Sequence, residues 1–272
     1  LYRRRQRQMC IRDRNKSVLV LGVGPEQGLG VALCKVFAEA GYQVFGCGRS
    51  EENMNALEKI TTSNGSIHGI VGDVTSQKDI ENIFNKIDQA GKELVSVIYN
   101  AGNNNAKPFL EMDLKFFQDL WEVCAKGAFL TAQEAIPRLM KGGGSLIFTG
   151  ATASIRSKPP FTAFAAAKSS ERSLAQGLAK EFGPHGVHVA HVIVDGIIDG
   201  DKVNLRFPDF ANSKGEDGKL NIESMAENFL MLHNQKKSTW SFEIDLRPWV
   251  RILVKIMKIK TYYPFFFLII FI

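Results

Sequence analysis

The chain runs to 272 residues, 45% hydrophobic and 23% charged, which is enough to bury one large core and argues against a disordered protein. Four cysteines, Cys10, Cys34, Cys47 and Cys124, form no CxxC pair and no spacing that would set two thiolates on one metal, so no metal site is expected and the setting reads as reducing and cytoplasmic. The formal charge of +6 comes entirely from the first sixteen residues, where Arg3, Arg4, Arg5, Arg7, Arg12, Arg14 and Lys16 face Asp13 alone; the remainder is neutral, which excludes a nucleic-acid partner.

That leader has neither the apolar core of a signal peptide nor the Ser-rich amphipathic pattern of a transit peptide. Residues 1–16 read as a non-native or disordered basic leader resembling translated adaptor sequence. From Val18 to Leu21 the chain turns β-branched and apolar, and an amphipathic stretch from Gly30 to Ala40 follows. Val44-Phe45 reads as the next strand. Further buried strands are expected at Ile67–Val71, Leu94–Tyr99, Ser145–Thr149 and Val187–Val194, alternating with helices over Gln77–Ala90, Leu114–Met140 and Phe161–Phe182. Such alternation calls for right-handed crossovers and a parallel sheet covered on both faces: an α/β, Rossmann-type, doubly wound three-layer domain over residues 17–248. Asp199–Lys219 is polar, reads as a loop or short-helix insertion, and carries no legible substrate motif. Ile222–His233 looks helical, and Trp240, Phe242, Ile244 and Leu246 alternate as a last strand. Residues 249–272 form an aberrant Lys-rich and apolar tail, too short for a membrane span of about 20 apolar residues.

The first strand runs into Gly24-Pro25-Glu26-Gln27-Gly28-Leu29-Gly30. Glycines there let the backbone turn, approach a pyrophosphate and pack the helix on the strand, while the helix start offers N–H donors. Nineteen residues past Gly30 stands Arg49, where an acidic residue would hold a ribose 2′-hydroxyl; an Arg there pairs instead with a 2′-phosphate, so NADP(H) is favoured and NAD(H) is the alternative. Asp73-Val74 after the third strand and Asn100-Ala101-Gly102 after the fourth would complete one crevice. Read structurally, Asp73 is a helix cap and Asn100-Ala101-Gly102 a turn. His188 and His191 lie three apart in one strand and so face opposite sides, as structural residues.

In this order, with Phe164-Ala165-Ala166-Ala167-Lys168 downstream, the motifs make residues 17–248 resemble the short-chain dehydrogenase/reductase family. The resemblance implies a nicotinamide cofactor exchanging hydride with a small carbonyl or alcohol, and homodimers or homotetramers built through the two long helices. It also implies an Asn-Ser-Tyr-Lys site, and there the chain departs: the Asn falls on Cys124, the Ser on Ala151 and the Tyr on Phe164, leaving Lys168. Phenylalanine has no proton to transfer, and a positioned general acid contributes about 10²–10⁴-fold. Lys168, four residues from Phe164 on one helix face, is expected to reach the cofactor ribose. Desolvated beside Phe164, its pKa would fall and it would serve as the acid itself. Thr149, Thr152, Ser154 and Thr162 are nearby hydroxyls. After the sixth strand the family's Pro-Gly reads Asp195-Gly196, Ile198 keeps its backbone contact to the nicotinamide amide, and the following Thr position is Gly200; Asp195 is expected to cap the loop.

Two functions follow from these residues. One is an NADP-dependent oxidoreductase with an altered acid, acting on a small carbonyl, alcohol or enone. The other is a catalytically inactive NADP(H)-binding sensor or partner subunit.

Overall fold

The computed structural model describes residues 15–250; most of the basic leader and most of the apolar tail lie outside the described residues. Seven strands, β1 (Lys16–Leu21), β2 (Gln43–Gly48), β3 (Ser66–Val71), β4 (Glu93–Tyr99), β5 (Gly144–Thr149), β6 (Val187–Val194) and β7 (Glu243–Leu246), form one sheet. All pair in parallel in the order β3-β2-β1-β4-β5-β6-β7. Every residue of β6 is buried, which is why the strands read as continuous apolar runs rather than alternating ones.

Nine α-helices surround the described sheet: α1 (Leu29–Glu39), α2 (Glu51–Glu58), α3 (Gln77–Gln89), α4 (Leu114–Trp121), α5 (Gly127–Gly142), α6 (Thr162–Phe182), α7 (Asp201–Asn204), α8 (Pro208–Asn212) and α9 (Ile222–His233). One core packs α1 and α9 on the sheet through Phe37, Phe229 and Val192; the other packs α3 and α5 through Phe84, Ile136 and Phe148. The strand order reverses between β1 and β4, and the crevice outside their carboxyl ends is where this class of sheet receives ligands.

Three local features depart from the expected pattern. The long helix of residues 114–140 is interrupted by a π-helical turn, Glu122–Lys126. Its carbonyl at Val123 accepts from the Tyr99 hydroxyl, and a Cβ on the next residue, Gly127, would fall 2.3 Å from that hydroxyl. Helix α2 escapes the periodicity argument because it buries only Met54 and Leu57; its start is marked by Ser50, whose side chain accepts from Asn53 N. The last strand begins at Glu243 rather than Trp240, whose ring instead stacks on His188 with centroids 4.8 Å apart.

Candidate dinucleotide crevice and active site

The glycine-rich turn sits at the β1–α1 junction. At Gly22 φ is +89°, and a Cβ would fall 2.4 Å from Ala101 N, so the turn is pressed against the segment after β4. Asn100 fixes that contact from the other side: its backbone N donates to Leu21 O and its side-chain Nδ2 to Gly22 O, at 2.9 and 3.1 Å. A Cβ at Gly30 would lie 2.8 Å from Val23 Cα, while one at Gly24 would meet nothing within 4 Å. Gly30 therefore serves helix–strand packing and Gly24 leaves space. Leu29 is buried in the core.

Helix α1 opens on Gly28 with no side-chain cap and no acidic residue in its first turn. By contrast, α2, α3, α4 and α9 are each capped by a Ser, Asp or Asn side chain. The uncapped donors and the open space at Gly24 fit a dinucleotide pyrophosphate. One loop donor has a partner already: Gln27 N donates to the Asp201 carboxylate at 3.0 Å, and Asp201 N returns a bond to Gln27 O at 2.9 Å.

Arg49 is exposed at the end of β2 and lines a cleft of about 640 Å³ with Gly72, Asp73, Asp79 and Lys86. Asp73 makes a local turn, accepting from Thr75 N and Oγ1 at 2.9 Å, while the cap of α3 is Ser76. Val74 is buried behind it. A Cβ at Gly196 would lie 2.6 Å from Pro248 Cδ, and Ile198 forms a bridge with Leu220. These contacts fix the path of the chain after β6.

The structure brings together the three positions where an Asn, a Ser and a Tyr were expected. Cys124 and Phe164 are buried in one apolar cluster with Leu120, and Ala151 packs against it. Burial pushes the Cys124 thiol up, against the pull of Lys168.

Lys168 is buried beside this cluster, and its surroundings correct the expected fall in pKa. Its ammonium donates to Thr149 O at 2.8 Å and to both oxygens of Glu171 at 3.0 and 2.8 Å. Burial alone pulls the ammonium down, but the Glu171 carboxylate and the Cys124 thiol outweigh it, and the net direction is up. An ammonium has three N–H donors, and three acceptors surround it. Glu171 is fully buried, and burial pushes its carboxyl up to about 7 while Lys168 draws it back. The sequence reading missed Glu171; its signal was a carboxylate one helical turn after Lys168 in an otherwise apolar stripe.

Asp195 reaches across to the neighbouring strand end, where the Thr152 hydroxyl donates to its carboxylate. His188 Nε2 pairs with Ser241 O and His191 Nδ1 with Glu243, each at 2.9 Å. Burial pulls His191 down to about 4 despite Glu243. Its Nε2 abuts Gly150, where a Cβ would lie 2.1 Å away.

A doubly wound parallel sheet with a glycine turn and an uncapped helix at its switch point defines a Rossmann-type nucleotide-binding protein. The short chain dehydrogenase profile matches residues 16–206, and the chain belongs to that family of oxidoreductases. A crystal structure of a short-chain dehydrogenase from Rhodopseudomonas palustris is 31% identical, with a TM-score of 0.74 over 86% of this chain and 99% of that one. Glucose 1-dehydrogenase of Gluconobacter oxydans (strain 621H) is 29% identical over 191 residues, 69% of this chain and 72% of that protein. The uncharacterized oxidoreductase YuxG of Bacillus subtilis (strain 168) is 28% identical over 193 residues; the match takes in 68% of this chain and 28% of YuxG's length.

Proposed function

We propose that the protein is an NADP-dependent oxidoreductase that exchanges hydride with a small carbonyl, alcohol or enone. The observation that carries the cofactor preference is Arg49, exposed over the cleft at the β2 and β3 ends in place of an acid. A guanidinium there receives a 2′-phosphate, whereas a carboxylate would receive a ribose hydroxyl. When bound, the nicotinamide supplies or accepts the hydride. The chain's own part is to hold it. Gly24, Gln27, Gly28, Leu29 and Gly30 offer backbone to the pyrophosphate, Asp73 and Val74 border the adenine end, and Asn100, Ala101 and Gly102 brace the ribose side. Gly196 and Ile198 present backbone to the amide. Lys168 faces the ribose across Gly102, where a Cβ would lie 3.6 Å from its Nζ, and it reaches the ribose by giving up one of its present acceptors.

A second reading, an NADP(H)-binding protein without turnover, is favoured by the apolar packing of Cys124, Ala151 and Phe164. In either reading the protein is a homodimer or homotetramer in the cytoplasm. Leu114, Phe117 and Trp121 on α4 and Phe129 and Met140 on α5 are exposed apolar side chains that a second copy would cover. Among the described residues no helix is long and apolar enough to cross a membrane.

Fluorescence titration of the full chain with NADPH and NADH, followed by addition of carbonyl and enone acceptors, tests these readings. NADPH binding at least tenfold tighter than NADH, lost in Arg49→Leu, supports the preference; equal affinities refute it. Acceptor-dependent oxidation separates the enzyme from the silent binder.

A further inference from the structure

With the usual Ser and Tyr replaced, the group that handles the proton at the substrate oxygen has to come from elsewhere, and the sheet register supplies a pair. Thr149 on β5 lies opposite Val192 on β6. Thr152 and Asp195 each follow three residues later, so they leave adjacent strands at the same level above the carboxyl edge. There the Thr152 hydroxyl donates to Asp195 Oδ1.

Both members are held in place. Asp195 N donates to Leu246 O at 2.8 Å. The turn Thr152–Ser154 is fastened to α6 by Ser169, which follows Lys168 and donates to the carbonyls of Ala153 and Ser154 at 3.4 and 3.3 Å. Asp195 is 5% exposed while Thr152 is half-buried, so Thr152 is the member of the pair open to a ligand. Two of the other nearby hydroxyls are engaged or sealed, since Ser154 Oγ accepts from Ala151 N at 3.0 Å and Thr149 is buried; Thr162 is half-buried, but only Thr152 is held on a carboxylate. The position next to Thr152 is Ala151, where the family carries its Ser.

We infer that Thr152 receives the substrate hydroxyl and that Asp195, acting through it, accepts the proton when an alcohol is oxidised at this site. The inference rests on the dinucleotide reading above and narrows the substrate class to an alcohol and its aldehyde or ketone. In the step, the substrate O–H bond breaks and its proton passes to Thr152 Oγ1 while the Thr152 proton passes to Asp195 Oδ1. The carbinol hydrogen leaves with its electron pair to the oxidised nicotinamide, and the C=O bond closes. Run backwards, the same relay delivers the one proton that accompanies the hydride to a carbonyl.

Cyclohexanol is a suitable probe because the hydroxyl is its sole polar handle. Two readouts are taken on the full chain: NADP⁺ reduction, and binding of cyclohexanol to the NADPH-loaded protein, followed by the nicotinamide fluorescence. Thr152→Val and Asp195→Asn are expected to lower kcat about 100-fold and to weaken alcohol binding, with NADPH affinity unchanged within about twofold and Thr152→Ser close to wild type. The inference is overturned if Thr152→Val binds and oxidises cyclohexanol like the parent. It also falls if the parent, loaded with NADPH, neither binds nor oxidises it, or if the variants lose NADPH affinity in step with activity, as a purely structural role would require. Failure of the parent to bind NADPH would instead sink the dinucleotide reading, and this inference with it.

Discussion

The two ends of the crevice are built from different material. The dinucleotide end is backbone: glycines that allow close approach, an uncapped helix start, and Asn100 bonded to main-chain carbonyls of the glycine turn. The other end is side chains: Cys124, Ala151 and Phe164, where the family resemblance leads to the expectation of an Asn, a Ser and a Tyr, pack in one apolar cluster. Backbone geometry is tied to the fold and changes only at the expense of stability, whereas side chains facing a cavity can be replaced together while the scaffold stands. A fold can therefore keep its ligand cradle while its chemistry moves to other atoms.

The largest effect expected from breaking this contrast is at the glycine turn. Gly22→Ala would put a Cβ at φ +89° and 2.4 Å from Ala101 N, combining left-handed strain with a backbone overlap. The two penalties add, and together they should cost about 5 kcal/mol or more in urea unfolding. Gly24→Ala, with nothing within 4 Å of the new Cβ, should leave stability unchanged and weaken only NADPH binding. Equal stability losses in the two variants would contradict the division between packing and ligand space.

Next in size is the buried pair at the chemical end. Lys168→Met strands the Glu171 carboxylate in the core, and breaking one side of such a pair typically costs about 3–5 kcal/mol. The pH dependence has a definite sign. With its folded pKa raised to about 7 even beside Lys168, Glu171 binds a proton in the folded state at pH values where the unfolded chain has released it. Stability therefore falls as pH rises from the ordinary carboxyl range through the folded pKa, and losing Lys168 raises that pKa further. The variant should melt higher at pH 5 than at pH 8, by a wider margin than the parent. Adding Glu171→Leu should restore most of the loss and flatten the profile; a Lys168→Met protein as stable as the parent at pH 8 would show that the pair is not buried as described.

How much of this was legible in the sequence follows the same division. The strands, the sheet type and the glycine turn announce themselves through local composition, because each depends on residues adjacent in the chain. So does the order of motifs that marks the family. The two pairings that define the chemical end do not. Thr152 and Asp195 are 43 positions apart and meet only because of the register between β5 and β6. Glu171 looks like a surface helix residue until the packing of α6 on the sheet shows it buried. The desolvation argument for Lys168 was sound in its direction, but an unseen carboxylate one turn away reversed the outcome. Helix α2 was missed for a related reason, since two buried side chains leave almost no periodicity to read.

The smallest expected effect lies where the two ends meet. Asp201, at the start of α7, holds its carboxylate against Gln27 N in the glycine turn at 3.0 Å. The approach depends on Gly200, where a Cβ would fall 2.6 Å from Gln27 O. A fixed negative charge on a backbone donor that would otherwise face pyrophosphate opposes the ligand both by occupying the N–H and by repulsion. Asp201→Asn keeps the acceptor and the shape but removes the charge, so NADPH should bind about threefold tighter, a gain of the size expected for a partly exposed charge. The gain should shrink as salt is raised through physiological ionic strength, because screening already weakens the repulsion in the parent. Weaker NADPH binding in the Asn variant would mean that Asp201 serves to dock α7 in its ligand-holding position rather than to compete with the phosphates.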